Sequence, residues 1–315
     1  MPAQPVRVVS LLPSATELLC AAGGAELLVG RSHECDFPAA IGDRPALTRA
    51  RTSAMRTLDD QSPAVDGAAV DAEVRAALAA GGSLYELDEA MLRQLRPDVI
   101  LTQDLCAVCS IDLRTVERVA ATMAPPPRVV SLNPATVEDL FDDLLRVGEA
   151  VGLGAAAETA MVRLRDDYWS AIDYVTPYTD GPEVAFLEWI DPIFVGGHWT
   201  PQMIVAAGGR HSLNAAGAAS RQVAPDELVA SQPDRVIVCP CGLDLATTRR
   251  ELERVRASRW WNALPAVAEG RVVLVDGNQM FNRPGPRLVE AFRWLVGWIN
   301  GRDELIPPGF PVAAA

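Results

Sequence analysis

The residues best equipped for chemistry are thiols and imidazoles placed where short apolar runs stop. Cys106 and Cys109 close the phrase Leu95-Arg-Pro-Asp-Val-Ile-Leu-Thr-Gln-Asp-Leu-Cys-Ala-Val-Cys109. Cys239 and Cys241 close a second copy, Ser231-Gln-Pro-Asp-Arg-Val-Ile-Val-Cys-Pro-Cys241. Each phrase reads as a polar helix end, a Pro-Asp turn, a β-branched run and then thiols. Ligands of α/β sheets bind at the carboxyl ends of strands, so four of the six cysteines stand where chemistry is expected. Cys-x-x-Cys lets two thiolates reach one soft metal across a tight turn. The same spacing serves a redox disulfide or two unrelated loop thiols, and these alternatives stay open. Cys239 and Cys241, separated by Pro240, are the weaker metal signal, with buried strand-end thiols as the equal alternative.

A second group lies on one loop: His33, Glu34, Cys35 and Asp36, followed by Phe37. Imidazole and thiolate are the right donors for cobalt, zinc or iron. His198 follows a Gly-Gly break and is a further contact candidate, as a loop histidine that is otherwise a hydrogen-bonded structural group; His211 is a weaker one. Glu188, Trp189 and Asp191 end a strand, and Phe194, Trp199 and Phe281 are expected in loops. Such rings suit a planar macrocycle, since they cover large area at little cost in side-chain freedom. Ordinary packing under loops is the competing account. Asn278 and Arg283 follow the last inner strand and could meet the polar rim of a ligand. Trp260, Trp261, Trp294 and Trp298 fit helix faces and are expected in the core, as is the helical Cys20. The basic residues Arg44, Arg49, Arg51 and Arg56 are expected on a solvated loop.

The elements that must position these residues alternate. Strands are expected over 6–12, 25–30, 98–102, 128–132, 184–189, 235–238 and 272–275. Helices are expected over 15–22, 87–95, 111–123, 200–207, 223–230, 252–260 and 288–299. Residues 39–83 read as loop with an alanine-rich helix near 70–80. Strands alternating with helices imply parallel sheets. Helices over 135–151 and 155–175 interrupt the pattern; the second, about 21 residues, would be about 30 Å long. Arg7-Val-Val-Ser-Leu-Leu-Pro13 returns as Arg128-Val-Val-Ser-Leu-Asn-Pro134, which suits two similar lobes. The expected fold is therefore α/β: two similar parallel-sheet lobes, 1–133 and 182–315, joined by a helical backbone at 134–181, with the ligand cleft between the lobes.

A chain of 315 residues that is 49% apolar can fill two cores, and its net charge of −13 argues against a nucleic-acid partner. No apolar run reaches the ~18 residues a membrane helix needs, so no membrane insertion is expected. Residues 1–5 carry no lysine or arginine and leave no room for a secretory signal before the first strand. The expected location is cytoplasmic, or periplasmic if a leader was removed.

Arg7-Val-Val-Ser-Leu-Leu-Pro-Ser-Ala-Thr-Glu17, Ala21–Gly24, Asp36-Phe-Pro38, residues 95–100 and residues 227–238 together resemble the substrate-binding proteins with a rigid helical backbone. These serve ABC importers of cobalamin, haem and iron-siderophores, and the resemblance is greatest to the cobalamin-binding type. The motifs span nearly the whole chain. Residues about 48–83 look like an insertion, and the cysteine pairs are not a general feature of the family. While the continuous helical rod predicts small hinge motion only, the resemblance implies a small-molecule ligand (corrinoid, haem or metal chelate) and an ABC permease as partner. It also implies permease docking through an acid on each lobe, here Glu89 and Asp226, although helix N-termini favour acids anyway. No cofactor is assigned with certainty; cobalamin or a transition metal is the candidate.

The expected function is thus a binding protein for a cobalamin-like tetrapyrrole or metal chelate, a non-exported relative of importer subunits. The alternative is a metal- or thiol-dependent enzyme in the same cleft, with Glu34 as base on a metal-bound water. No nucleophile elbow, phosphate loop or dinucleotide motif supports that alternative.

Overall fold

The repeated Pro-Asp turn has one structural meaning in both copies. In each, a residue with left-handed backbone precedes the proline, Arg96 at φ 45° and Gln232 at φ 46°. The aspartate then clamps the start of the neighbouring strand. Asp98 accepts from the Arg7 amide at 2.8 Å while its own amide donates to the Arg7 carbonyl at 2.8 Å. Asp234 does the same with Glu183, at 2.7 and 2.9 Å. Each turn thereby sets the register of one inner strand against its neighbour.

The computed structural model describes residues 5–62, 65–80, 83–104, 111–176 and 179–315. They form two units, the first built from residues 1–59, 72–134 and 138–164 and the second from 60–71, 135–137 and 165–315. The first unit contains β1 (Val8–Ser10), β2 (Leu28–Arg31), β3 (Thr48–Ala50), β4 (Tyr85–Leu87), β5 (Val99–Thr102) and β6 (Arg128–Ser131). Its parallel sheet has the order β2-β1-β5-β6, and β3 and β4 pair antiparallel beside it. Val8, Leu18, Leu28, Val99, Leu101, Leu144 and Val147 share its core. Gly30 lets β2 lie close to its neighbours, because a Cβ there would stand 2.5 Å from Leu47 and 2.7 Å from Leu95.

The second unit contains β7 (Val184–Trp189), β8 (Phe194–Val195), β9 (Arg221–Gln222), β10 (Arg235–Val238), β11 (Val272–Val275) and β12 (Val312–Ala314). The sheet order is β12-β11-β10-β7-β8-β9. The inner strands β11, β10 and β7 are parallel, while β12, β8 and β9 join antiparallel. The helix Gly154–Ile172 contains the boundary at Leu164. Its 19 residues make it about 28 Å long.

Three expectations are corrected. The Arg-Val-Val-Ser echo marks β1 and β6, two strands of one sheet on either side of β5, and not equivalent strands of two lobes. Residues 39–83 are not mainly loop: besides the expected helix, Gly67–Ala79, they hold β3 and the helix Ser53–Asp59. Three-residue strands and a seven-residue helix carry too little periodicity to be seen in the sequence. The helix expected over 252–260 is two helices, Leu245–Val255 and Arg259–Asn262, the second capped by the Ser258 hydroxyl accepting from the Trp261 amide.

Candidate metal-binding loop of the first unit

The loop that follows β2 carries the best-organised cluster of donors. The Cys35 amide donates to the Ser32 carbonyl at 3.1 Å and closes a tight turn. The Arg31 guanidinium braces that turn by donating to the carbonyls of Ser32 and Gly42, at 3.0 and 3.1 Å. His33 and Glu34 at the crest of the turn are half-buried, while Cys35 at its close is buried. Its sulfur lies 3.1 Å from the Thr16 hydroxyl, and the residue is 1% exposed in the first unit's core. Cys35 is therefore packed in the core of the first unit.

His33 is held from both ring nitrogens. Nδ1 lies 2.7 Å from the Thr48 hydroxyl, which also accepts from the His33 amide at 3.1 Å and sits 2.9 Å from Ser32 Oγ. Nε2 lies 3.0 Å from Asp59 Oδ2, with both side chains about one-fifth exposed. The Tyr85 hydroxyl donates to Glu34 Oε1 at 3.4 Å, and the Tyr85 ring centroid is 5.6 Å from the imidazole. One donor atom each from His33, Glu34 and Asp59 falls within 4.8 Å of the others. Burial works against charging His33, but the Asp59 hydrogen bond and the nearby Glu34 and Asp59 charges outweigh it and hold the imidazole above its usual pKa. Phe37, on the same loop, is 44% exposed.

Sequence reasoning missed Thr48, Asp59 and Tyr85. All three lie in or just after the segment read as loop, and none has a spacing signature; β3, β4 and the end of Ser53–Asp59 bring them to the β2 loop.

The second-unit candidates are not gathered into a comparable cluster. The Trp189 indole N–H is committed to the carbonyls of Asp191 and Gly67, at 3.1 and 3.3 Å. Glu188 is half-buried at the end of β7, and Asp191 is exposed in the turn after it. Phe194 lies in β8 and not in a loop. Trp199 and Phe281 are buried, and the Trp199 indole donates to the Phe281 carbonyl at 2.8 Å. Phe281 meets Phe186 and Trp294 edge-on at 5.2 and 5.9 Å. These two rings pack in the core of the second unit. Arg283, only 7% exposed, donates to Asn278 Oδ1 at 3.3 Å, so its head group is turned inward. His198 is half-buried with φ 52°; burial lowers its pKa.

The thiols divide in the same way. Cys239 is fully buried, its sulfur near Asn282 Nδ2 at 3.6 Å, and burial, followed by the Cys241, Glu188 and Asp276 charges, raises its pKa well above the usual thiol value. Cys241 is exposed. The two thiols of this pair thus differ in burial. Cys106 and Cys109 lie outside the described residues. Glu89 accepts from Arg118 and Arg93 at 2.8 and 3.1 Å, and Asp226 is exposed in the first turn of Pro225–Ala230.

A sequence model of the family described as periplasmic binding protein matches residues 8–278. The chain belongs to the periplasmic binding protein family. Members of this family bind solutes, and a solute-binding role follows for this chain. No curated protein matches the sequence. Among solved structures it is similar to the periplasmic vitamin B12 binding protein BtuF of Vibrio cholerae, with 16% identity, a TM-score of 0.66 and coverage of 95% of this chain and 98% of that one. It is likewise similar to the periplasmic heme-binding protein RhuT from Roseiflexus sp. RS-1, at 20% identity and TM-score 0.69, covering 95% and 99% of the two chains. A periplasmic heme binding protein from Pseudomonas aeruginosa gives 19% identity and TM-score 0.70, covering 95% and 94%. At such identities the likeness establishes the fold. Among the described residues, no helix is long and apolar enough to cross a membrane.

Proposed function

We propose that the solute is a metal-centred ligand, a corrinoid, haem or comparable chelate, and that the chain delivers it to an ABC permease. The observation that carries this reading is the loop after β2, which offers a braced imidazole, His33, and an exposed phenyl ring, Phe37, from the ligand-binding end of a parallel sheet. An imidazole nitrogen suits cobalt or iron, for which His33 Nε2 would exchange its Asp59 bond, and a phenyl ring suits the flat apolar face of a macrocycle. Similarity to proteins whose names state vitamin B12 or heme binding supports the same class.

A thermal-shift panel of cyanocobalamin, aquocobalamin, haemin and ferric chelates against the purified full chain tests the reading. At least one class should raise the melting temperature, and Phe37→Ala should weaken that effect. A panel in which none does so rejects it. Delivery to a permease places the chain outside the cytoplasmic membrane, and a non-exported carrier keeps it inside. Fractionation of the native host separates these two.

A further inference from the structure

We infer that His33, Glu34 and Asp59 form a binding site for a divalent metal ion of the zinc–cobalt class, held directly by the first unit without any macrocycle. This goes beyond the cargo reading and does not depend on it.

The geometry is that of an open three-ligand site. Zinc takes nitrogen and oxygen donors at about 2.0–2.2 Å, which sets tetrahedral neighbours about 3.4 Å apart. His33 Nε2 and Asp59 Oδ2, at 3.0 Å, are already near that spacing. Glu34, half-buried on the same loop, completes a set whose donor atoms all lie within 4.8 Å of one another. Three protein donors leave a position open for water or an exogenous ligand.

Both flanking ligands are oriented from behind, as metal ligands characteristically are. With the ion on Nε2, the ring proton sits on Nδ1 and donates to Thr48 Oγ1 at 2.7 Å. Thr48 then accepts from the His33 amide as well and gives its own proton to Ser32 Oγ, 2.9 Å away. Both lone pairs and the proton of the Thr48 hydroxyl are then used. Tyr85 donates to Glu34 Oε1 and aims the second carboxylate. Charge also balances: a neutral imidazole and two carboxylates offset a dication.

The experiment adds Zn²⁺ alone to the metal-free full chain and follows the imidazole nitrogens by long-range ¹H–¹⁵N spectra. With three histidines in the chain, each ring can be followed separately. The expected result is that one equivalent moves His33 Nε2 to a metal-bound shift and leaves His198 and His211 in place. Asp59→Asn should weaken binding at least tenfold, the scale of losses at metal sites, measured at a temperature where the metal-free variant is fully folded. Because the readout is the imidazole itself, zinc taken up by thiols elsewhere does not mimic it. His33 unmoved at saturating zinc, or Asp59→Asn binding as tightly as the native chain, overturns the inference. A haemin titration of the zinc-free chain reports separately on the cargo reading, so either can fail alone.

Discussion

The Thr48 hydroxyl stands 2.7 Å from His33 Nδ1 and accepts from the His33 backbone amide at 3.1 Å. One side chain of β3 thus fixes both the main chain and the ring of the residue on which the functional reading rests. Thr48 is 6% exposed, so its bonds are not exchanged for water. Thr48→Val keeps the shape of the side chain and removes the hydroxyl, leaving the His33 amide without its acceptor. Stability should fall by about 1–3 kcal/mol, the cost of a buried polar group left unsatisfied. Denaturant melts check this, and an unchanged midpoint would show that the Thr48 contacts do not brace the loop.

Asp143 supplies the clearest pH dependence. Its side chain is 5% exposed and bonds Arg146 at 2.7 Å. Burial pushes its carboxyl up to about 6 despite that arginine, with Asp139 and Asp142 adding to the rise. An unfolded aspartate titrates near about 3.9. The folded form therefore binds this proton more tightly, and the associated stability is complete below about 4 and lost as pH rises through about 6. Relative to Asp143→Asn, which stays neutral throughout, the native chain should lose on the order of 2 kcal/mol between pH 4 and pH 7. A difference of the opposite sign would contradict the assignment.

In the second unit, Glu251 Oε2 accepts from the Gly67 amide at 2.8 Å, while Arg254 pairs with both Glu251 and Asp66. Gly67 leaves little room there, since a Cβ would stand 3.0 Å from Glu251 Oε2. Glu251→Ala removes a buried acceptor and should speed hydrogen exchange at the Gly67 amide, at a cost of about 1–3 kcal/mol. Glu251→Gln retains an acceptor oxygen and should preserve most of the protection. Equal exchange in all three chains would mean that the bond does not hold segment 60–71.

The Trp199 and Phe281 rings offer a test of the core assignment. Phe281→Ala should cost about 3–5 kcal/mol, as for other buried aromatics. Trp199→Phe loses the bond to the Phe281 carbonyl and should lower stability by about 1 kcal/mol with no change in ligand affinity. A loss of affinity at unchanged stability would return Trp199 to the ligand site.

The strands, the long helix and the Pro-Asp turns were legible because each rests on a local pattern. Asp98 and Asp234 sit at the same offset before a β-branched run and make the same bonds to Arg7 and Glu183. The Arg-Val-Val-Ser echo misled, since an apolar β-branched run describes any inner parallel strand and does not say which sheet receives it. His33 and Glu34 were visible as residue types on a strand-end loop. Asp59, Thr48 and Tyr85 were not, because strand pairing and a short helix bring them to His33 from 15 to 52 residues away in sequence. The inward packing of Phe281 was hidden for a related reason: a ring just outside a strand can still turn inward, as Phe281 does against Phe186.

The central claim, a metal-centred solute contacted by the β2 loop, is tested most directly by absorption titration of the purified full chain with haemin and aquocobalamin beside His33→Ala. The account predicts a saturable one-to-one band shift for at least one of them, weakened at least tenfold in the variant. A spectrum that neither ligand perturbs, or a shift identical in His33→Ala, would contradict it.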